Sequence, residues 1–179
     1  MPTFIRSFPA LPAALFVALL ALAGCAGYGL QPGLSTRADL DRALGAPAMA
    51  WPEAGGGQRL AYPTGPMGFQ TWMAQVDAGG RLVAIENVLD MRHFAQIQRG
   101  MSQDEVLRLL GPSYPGWTIY FKARDELVWE WRYCDDFMEP ARFDVLFDGT
   151  AGTVRSTLSS VERMSQPWGQ GNRRDWCSR

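Results

Sequence analysis

Histidine is almost missing from this chain of 179 residues, where His93 stands alone. A Ser-His-Asp or Cys-His arrangement would depend wholly on that residue, and no nucleophile motif surrounds it. One histidine cannot meet a typical zinc set either. Its place on a short helical stretch beside Phe94 points to a partly exposed structural role. Net charge is nearly absent too, at −1, which removes the electrostatic argument for nucleic-acid binding. The clusters Gly55-Gly56-Gly57 and Asp77-Ala78-Gly79-Gly80 lack the following Lys and helix of a phosphate-binding loop, so they read as turns. Asp135, Asp136 and Glu139 read as a solvated turn, with a weak cation or basic-partner contact as the alternative. Asp144 and Asp148 share a strand face, but nothing implies the pKa splitting that acid–base work needs. No catalytic set, metal set or cofactor site emerges. The chain reads as non-enzymatic.

Long apolar runs are also scarce. The one candidate, Ala10 to Leu22, falls short of the roughly 20 residues that a spanning helix needs. Preceded by Arg6, it makes residues 1–24 a targeting segment. The run ends in Leu22-Ala23-Gly24-Cys25, which resembles the lipobox of bacterial lipoproteins; an ordinary cleavage site abutting a Cys is the alternative. The resemblance implies cleavage before Cys25, lipidation of its thiol and a tether over residues 25–32. Ala26, standing where a retention signal would carry Asp, favours the periplasmic face of the outer membrane. Acyl chains at about 0.8 kcal/mol per buried methylene would hold the protein there without a spanning helix. Cys134 and Cys177 then remain. In an oxidising compartment an even pair invites a disulfide, with two free thiols or a metal or redox role as the other readings.

What the sequence does contain is a repeat. Gly100-Met101-Ser102-Gln103-Asp104-Glu105-Val106-Leu107-Arg108-Leu109-Leu110-Gly111-Pro112 predicts a helix with a Ser102/Glu105 capping box and a Gly-Pro stop. Val106, Leu109 and Leu110 give it one apolar face. Gly33 to Pro47 is a weaker copy. Behind the first helix, strand-like runs fall around Met49–Trp51, Gln58–Tyr62, Phe69–Val76 and Leu82–Val88. The second helix follows a short amphipathic stretch, Met91 to Gln98. Period-two alternation then marks strands through Trp117–Phe121, Val128–Tyr133, Phe143–Phe147 and Val154–Val161. Val76-Asp77 with Gly80 and Phe147-Asp148 with Gly152 repeat one hairpin signal. The predicted fold is α+β: two tandem helix-plus-antiparallel-sheet units, 33–90 and 91–163, with a Gly- and Arg-rich tail at 164–179. Trp176 in that tail is expected beside the bridge.

Ile97-x-x-Gly100-Met101-Ser102-x-x-Glu105-Val106 and Leu110-Gly111-Pro112, ahead of a β meander and behind a lipobox, resemble the SmpA/OmlA lipoprotein domain. That family includes the BamE subunit of the outer-membrane β-barrel assembly machinery. The doubled unit looks like the β-lactamase-inhibitor-protein fold, whose open sheet face is concave. The resemblance implies a lipid-anchored, protein-binding envelope adaptor, possible partners being an envelope protein or the barrel-assembly machinery. A periplasmic binding or inhibitor module is the alternative reading. Seven tryptophans supply the candidate contact residues. Trp72, Trp129 and Trp131 suit sheet packing, whereas Trp51, Trp117, Trp168 and Trp176 lie where burial is harder to arrange. Trp117, Trp129 and Trp131, with Arg132 as a charge anchor, form the candidate partner-binding set.

Overall fold

A computed structural model describes residues 29–65, 68–162 and Cys177. The expected lipidation residue Cys25, the expected targeting segment, and Trp168 and Trp176 of the tail lie outside the described residues.

The first helix, α1 (Arg37–Leu44), starts at Thr36, whose side chain and that of Asp39 cap each other's backbone amides. Four strands follow: β1 (Met49–Pro52), β2 (Gln58–Pro63), β3 (Thr71–Val76) and β4 (Leu82–Asn87). A short helix, α2 (Met91–Phe94), begins at Asp90 and ends well before the predicted Gln98. Next comes α3 (Gln103–Leu110), where the Ser102 amide donates to Glu105 Oε2 at 2.7 Å, completing the expected capping box. Strands β5 (Ile119–Phe121), β6 (Glu126–Cys134), β7 (Pro140–Asp148) and β8 (Val154–Val161) close the described chain. Trp117 is not in β5 as predicted. Pro115 presets the backbone for a short 3-10 turn, Pro115–Trp117, and the strand starts two residues later.

Each set of four strands forms an antiparallel meander, in the orders β1-β2-β3-β4 and β5-β6-β7-β8. The fold is therefore α+β, two helix-led sheets in tandem. The repeat extends to single hydrogen bonds. Gly33 N donates to Leu82 O and Leu82 N to Ser35 O; Gly100 N donates to Val154 O and Val154 N to Met101 O. Each pair staples the approach to a helix onto the last strand of its own sheet. Both sheets also carry an irregularity at one matching place, Gln75/Val76 and Leu146/Phe147.

The layers alternate. Leu40 of α1 is buried against Leu60, Tyr62, Ala74, Val76 and Leu82 on one face of the first sheet. The opposite face of that sheet receives α3. Gly111, the C-cap of α3, sits so close that an added Cβ would lie 2.7 Å from Thr71 Cγ2 and 3.3 Å from Ala61 Cβ. Its φ of 71° and ψ of −174° also belong to a region that is essentially glycine's alone. The Arg108 guanidinium lies 5.8 Å over the Trp51 ring, and Trp51 is buried, against the expectation that burial there is hard. The other side of α3 joins α2 over the second sheet, with Val106, Leu110, Phe94, Trp131, Phe143, Val145 and Phe147 in one core. Phe94 stacks flat on Phe143 at 3.9 Å. The units repeat in topology but share this core.

Candidate functional site

Only the second sheet has a face that no described helix covers. Register places Ile119, Val128 and Leu146 in one row across it, Glu130, Asp144 and Leu158 in the next, and Arg132 beside Arg142 in a third. Two of these rows set like charges directly opposite, Glu130 on Asp144 and Arg132 on Arg142, which is unfavourable by itself. Relief comes from diagonals and from Glu162 just past β8. Arg132 reaches Glu162 Oε2 at 2.7 Å, Arg142 reaches Glu162 Oε1 at 2.9 Å, and Arg142 also reaches Glu130 Oε1 at 2.9 Å. Arg132 and Glu162 are both buried. Their desolvation is tolerable because each carboxylate oxygen of Glu162 meets a guanidinium. Phe69, from the loop between β2 and β3, lies 4.1 Å over Arg132, and the Trp117 ring stands 5.3 Å from Arg142 and 5.9 Å from Arg132. These stacked contacts shield the cations from water.

Asp144 is what the network leaves over. Burial pushes its carboxyl up to about 6, the neighbouring Glu130 charge adds to the rise, and Arg142 partly opposes it. Its Oδ1 is buried without a hydrogen-bond partner. Around it, Ile119 and Leu158 each expose about half of their surface. A carboxylate set between Glu130 and Leu158 across the sheet, with Arg142 and Leu146 beside it on its own strand, can accept a basic group flanked by apolar ones.

The four sequence-predicted contact residues divide between the two sides of this sheet, because successive strand side chains point to opposite faces. Trp117 and Arg132 come together on the outer face. Trp131 is buried in the core opposite, with Trp129 edge-on to it at 6.3 Å and to Phe147 at 4.7 Å. The charge of Arg132 is engaged by Glu162 rather than offered outward. The open face expected on both units is found, among the described residues, only on the second, since α3 fills the corresponding side of the first. Glu130, Arg142, Glu162 and Phe69 are the residues that sequence reasoning missed, while Asp144 was considered only as one of a carboxylate pair with Asp148. Alternation does place Glu130 and Arg132 on one face of β6, and Arg142 and Asp144 on one face of β7. Folding those strands as a hairpin on paper would have exposed the like-charge pairs.

The remaining candidates resolve locally. Cys134 and Cys177 form a disulfide, with Cα atoms 5.6 Å apart. His93 is buried rather than partly exposed. Its Nδ1 lies 2.7 Å from Asp90 Oδ1, at the start of α2, and its Nε2 lies 3.5 Å from Glu86. Asp135 accepts from the amides of Phe137 and Glu139, which makes the acidic loop a tight turn. Asp148 caps its hairpin and pairs with Arg155 at 2.6 Å; turn amides, first that of Ala151, and Arg155 hold its carboxyl low. Asp144 and Asp148 are therefore split in pKa, contrary to expectation. They stand four residues apart on a strand, about 13 Å, so no substrate group fits between them as between an acid and a base.

No family model matches the chain, and no curated protein matches it. Among solved structures, a 1.5 Å crystal structure of an extracellular protein containing a SCP domain from Bacillus anthracis str. Ames is similar at 13% identity, over 73% of this chain and 50% of that one. The chain spans about half the length of that protein. At a TM-score of 0.26 this likeness carries no argument.

Proposed function

We propose that this protein is a lipid-anchored adaptor of the outer membrane, facing the periplasm and binding another envelope protein without transforming it. Anchoring falls to Cys25, in the lipobox-like Leu22-Ala23-Gly24-Cys25. The Cys134–Cys177 disulfide suits an oxidising compartment such as the periplasm. The observation that carries the binding role is the outer face of the second sheet, where half-exposed Ile119 and Leu158 accompany a carboxylate that pairs with no cation among the described residues. Exposed apolar surface rimmed by polar groups is the usual mark of a docking site. The SmpA/OmlA-like motif from Ile97 to Pro112 supports service in β-barrel assembly or envelope integrity.

A pull-down of the lipidated chain from detergent-solubilised envelopes tests this. Recovery of barrel-assembly subunits is the expected result. Recovery of a soluble periplasmic hydrolase alone would replace the adaptor by an inhibitor, and finding the chain free of fatty acid in the cytoplasm would overturn both anchor and role.

A further inference from the structure

We propose that the outer face of the second sheet is a helix-docking slot, filled by an amphipathic helix of a partner protein that carries an Arg or Lys to meet Asp144. Resting on the adaptor reading above, this names what the partner presents.

The internal repeat supplies the first support. Taking the matching irregularities as the anchor, register equates Thr71 with Arg142, Met73 with Asp144, Ala61 with Glu130 and Trp51 with Ile119. In the first sheet those positions hold α3, with Gly111 on Thr71, Ala61 and Met73 and Arg108 over Trp51. In the second sheet the same positions face outward; the Pro115–Trp117 turn leans on Arg142, and no α-helix among the described residues lies on them. Among the described residues, one sheet carries an α-helix on both sides and its copy on one side.

A terminal repeat can be sealed simply by making its outer face polar. This face is only partly so. Ile119 and Leu158 stay half exposed, with Val128 and Leu146 between them. Among the described residues the charges on this face do not balance either: Arg132 and Arg142 stand with Glu130, Asp144 and Glu162. Both arginines are engaged by Glu162, and Arg142 also by Glu130, which leaves Asp144 Oδ1 buried and unpartnered. One added cation closes that account.

A helix suits the vacancy because a helix fills the equivalent face of the first sheet. The two longer described helices each carry an arginine in the last turn, Arg42 and Arg108, paired within the helix to Asp39 and Asp104, where a cation complements the helix dipole. A partner helix in the pose of α3 brings its C-terminal end, where Gly111 stands in α3, over Glu130, Asp144 and Arg142, so a basic residue at that end serves the dipole and Asp144 together. Its apolar stripe covers Ile119, Val128, Leu146 and Leu158.

Photo-crosslinking in native envelopes tests this, with benzoylphenylalanine placed at Leu158 and, separately, at Ile119 of the lipidated full chain. Expected are cross-links from both positions to one segment of one partner, on residues three, four or seven apart, with a Lys or Arg among them. Asp144→Lys should cut the yield by about tenfold or more, and reversing the partner's basic residue to Glu should restore it. Asp144→Asn, nearly isosteric, should cut the yield by about threefold while leaving the far-UV circular dichroism unchanged. An unchanged yield in a folded Asp144→Asn chain overturns the proposal. So do cross-links to residues 163–176 of the same chain, to a second copy, to lipid alone, or to a segment touched at alternate residues. A partner held through an extended segment leaves the adaptor standing without its helix; absence of any partner in the pull-down removes both.

Discussion

Removing a carboxylate should make this protein more stable at neutral pH. Asp144 is half-buried beside Glu130, and its pKa is pushed up to about 6, first by desolvation and then by the Glu130 charge. In the unfolded chain the same group titrates near 3.9. Between about pH 4 and pH 6 the unfolded state therefore gives up its proton while the native state keeps it. Stability falls as pH rises wherever the native state binds more protons. The favourable contribution of protonated Asp144 is thus complete below about pH 4 and gone above about pH 6. About two pKa units at 1.36 kcal/mol each would give about 3 kcal/mol. Solvent reaches a half-buried side chain, and that screening reduces the expectation to about 1–2 kcal/mol. Asp144→Asn keeps the shape, can donate to Glu130 and cannot ionise. Urea unfolding, followed by tryptophan fluorescence with the disulfide intact, should find it about as stable as the parent near pH 4 and about 1–2 kcal/mol more stable near pH 7. Comparing the two proteins cancels Asp39, Asp104, Glu105, Asp125 and Asp148, whose depressed pKa values tilt stability the other way. A difference between parent and variant that stays flat from about pH 4 to pH 7 would refute the reasoning.

Glu162→Gln leaves two guanidiniums, one fully buried, facing a neutral amide. It should cost about 3 kcal/mol by urea unfolding; a cost below about 1 kcal/mol would mean that the pair behaves as surface charge. Gly111→Ala combines a glycine-only backbone with a Cβ driven against Thr71. It should exceed Gly45→Ala, which has a similar backbone but open space around it, by the overpacking term of about 1–3 kcal/mol; equal thermal midpoints would remove α3 from the first sheet. Ser102→Ala breaks the capping box and should lower stability by about 1 kcal/mol, less if water satisfies the freed amide.

The fold was the more legible half. Caps, glycine stops and period-two alternation are local signals, and they mark the two long helices and most of the eight strands. Two misses were also local: Pro115 drew Trp117 into a turn, and α2 stops at Phe94. The proposed docking face was harder to read because its meaning lies across strands. Alternation along β6 says that Glu130 and Arg132 share a side, but not that each meets its own charge on β7. Nor does it say that Glu162, thirty residues from Arg132, settles between the arginines. The bulky aromatics drew attention to the wrong face. Trp129 and Trp131 are large because they fill a core, whereas the exposed side is built from a smaller mix of Ile, Leu and unmatched charge.

The shared core bears on how that face keeps its shape. α3 is pressed between sheets, with Gly111 and Arg108 on the first and Val106 and Leu110 toward the second. The second unit cut free would expose that whole flank, and a unit of its size has little stability to spare. The coupling reaches the outer face of the second sheet as well, since Phe69 from the first unit lies on Arg132. Arg132 holds Glu162, Glu162 shares Arg142, and Arg142 opposes the charge on Asp144. A change at the β2–β3 loop therefore has a continuous path to the carboxylate that a partner would meet. Phe69→Ala should loosen Arg132 and weaken docking without touching the partner, whereas Leu158→Ala should weaken it by direct loss of contact. In a double-mutant cycle on cross-link yield, coupling between Phe69 and Asp144 beyond about 0.5 kcal/mol would mark this chain as connected. Strict additivity would mean that the first unit serves only as ballast.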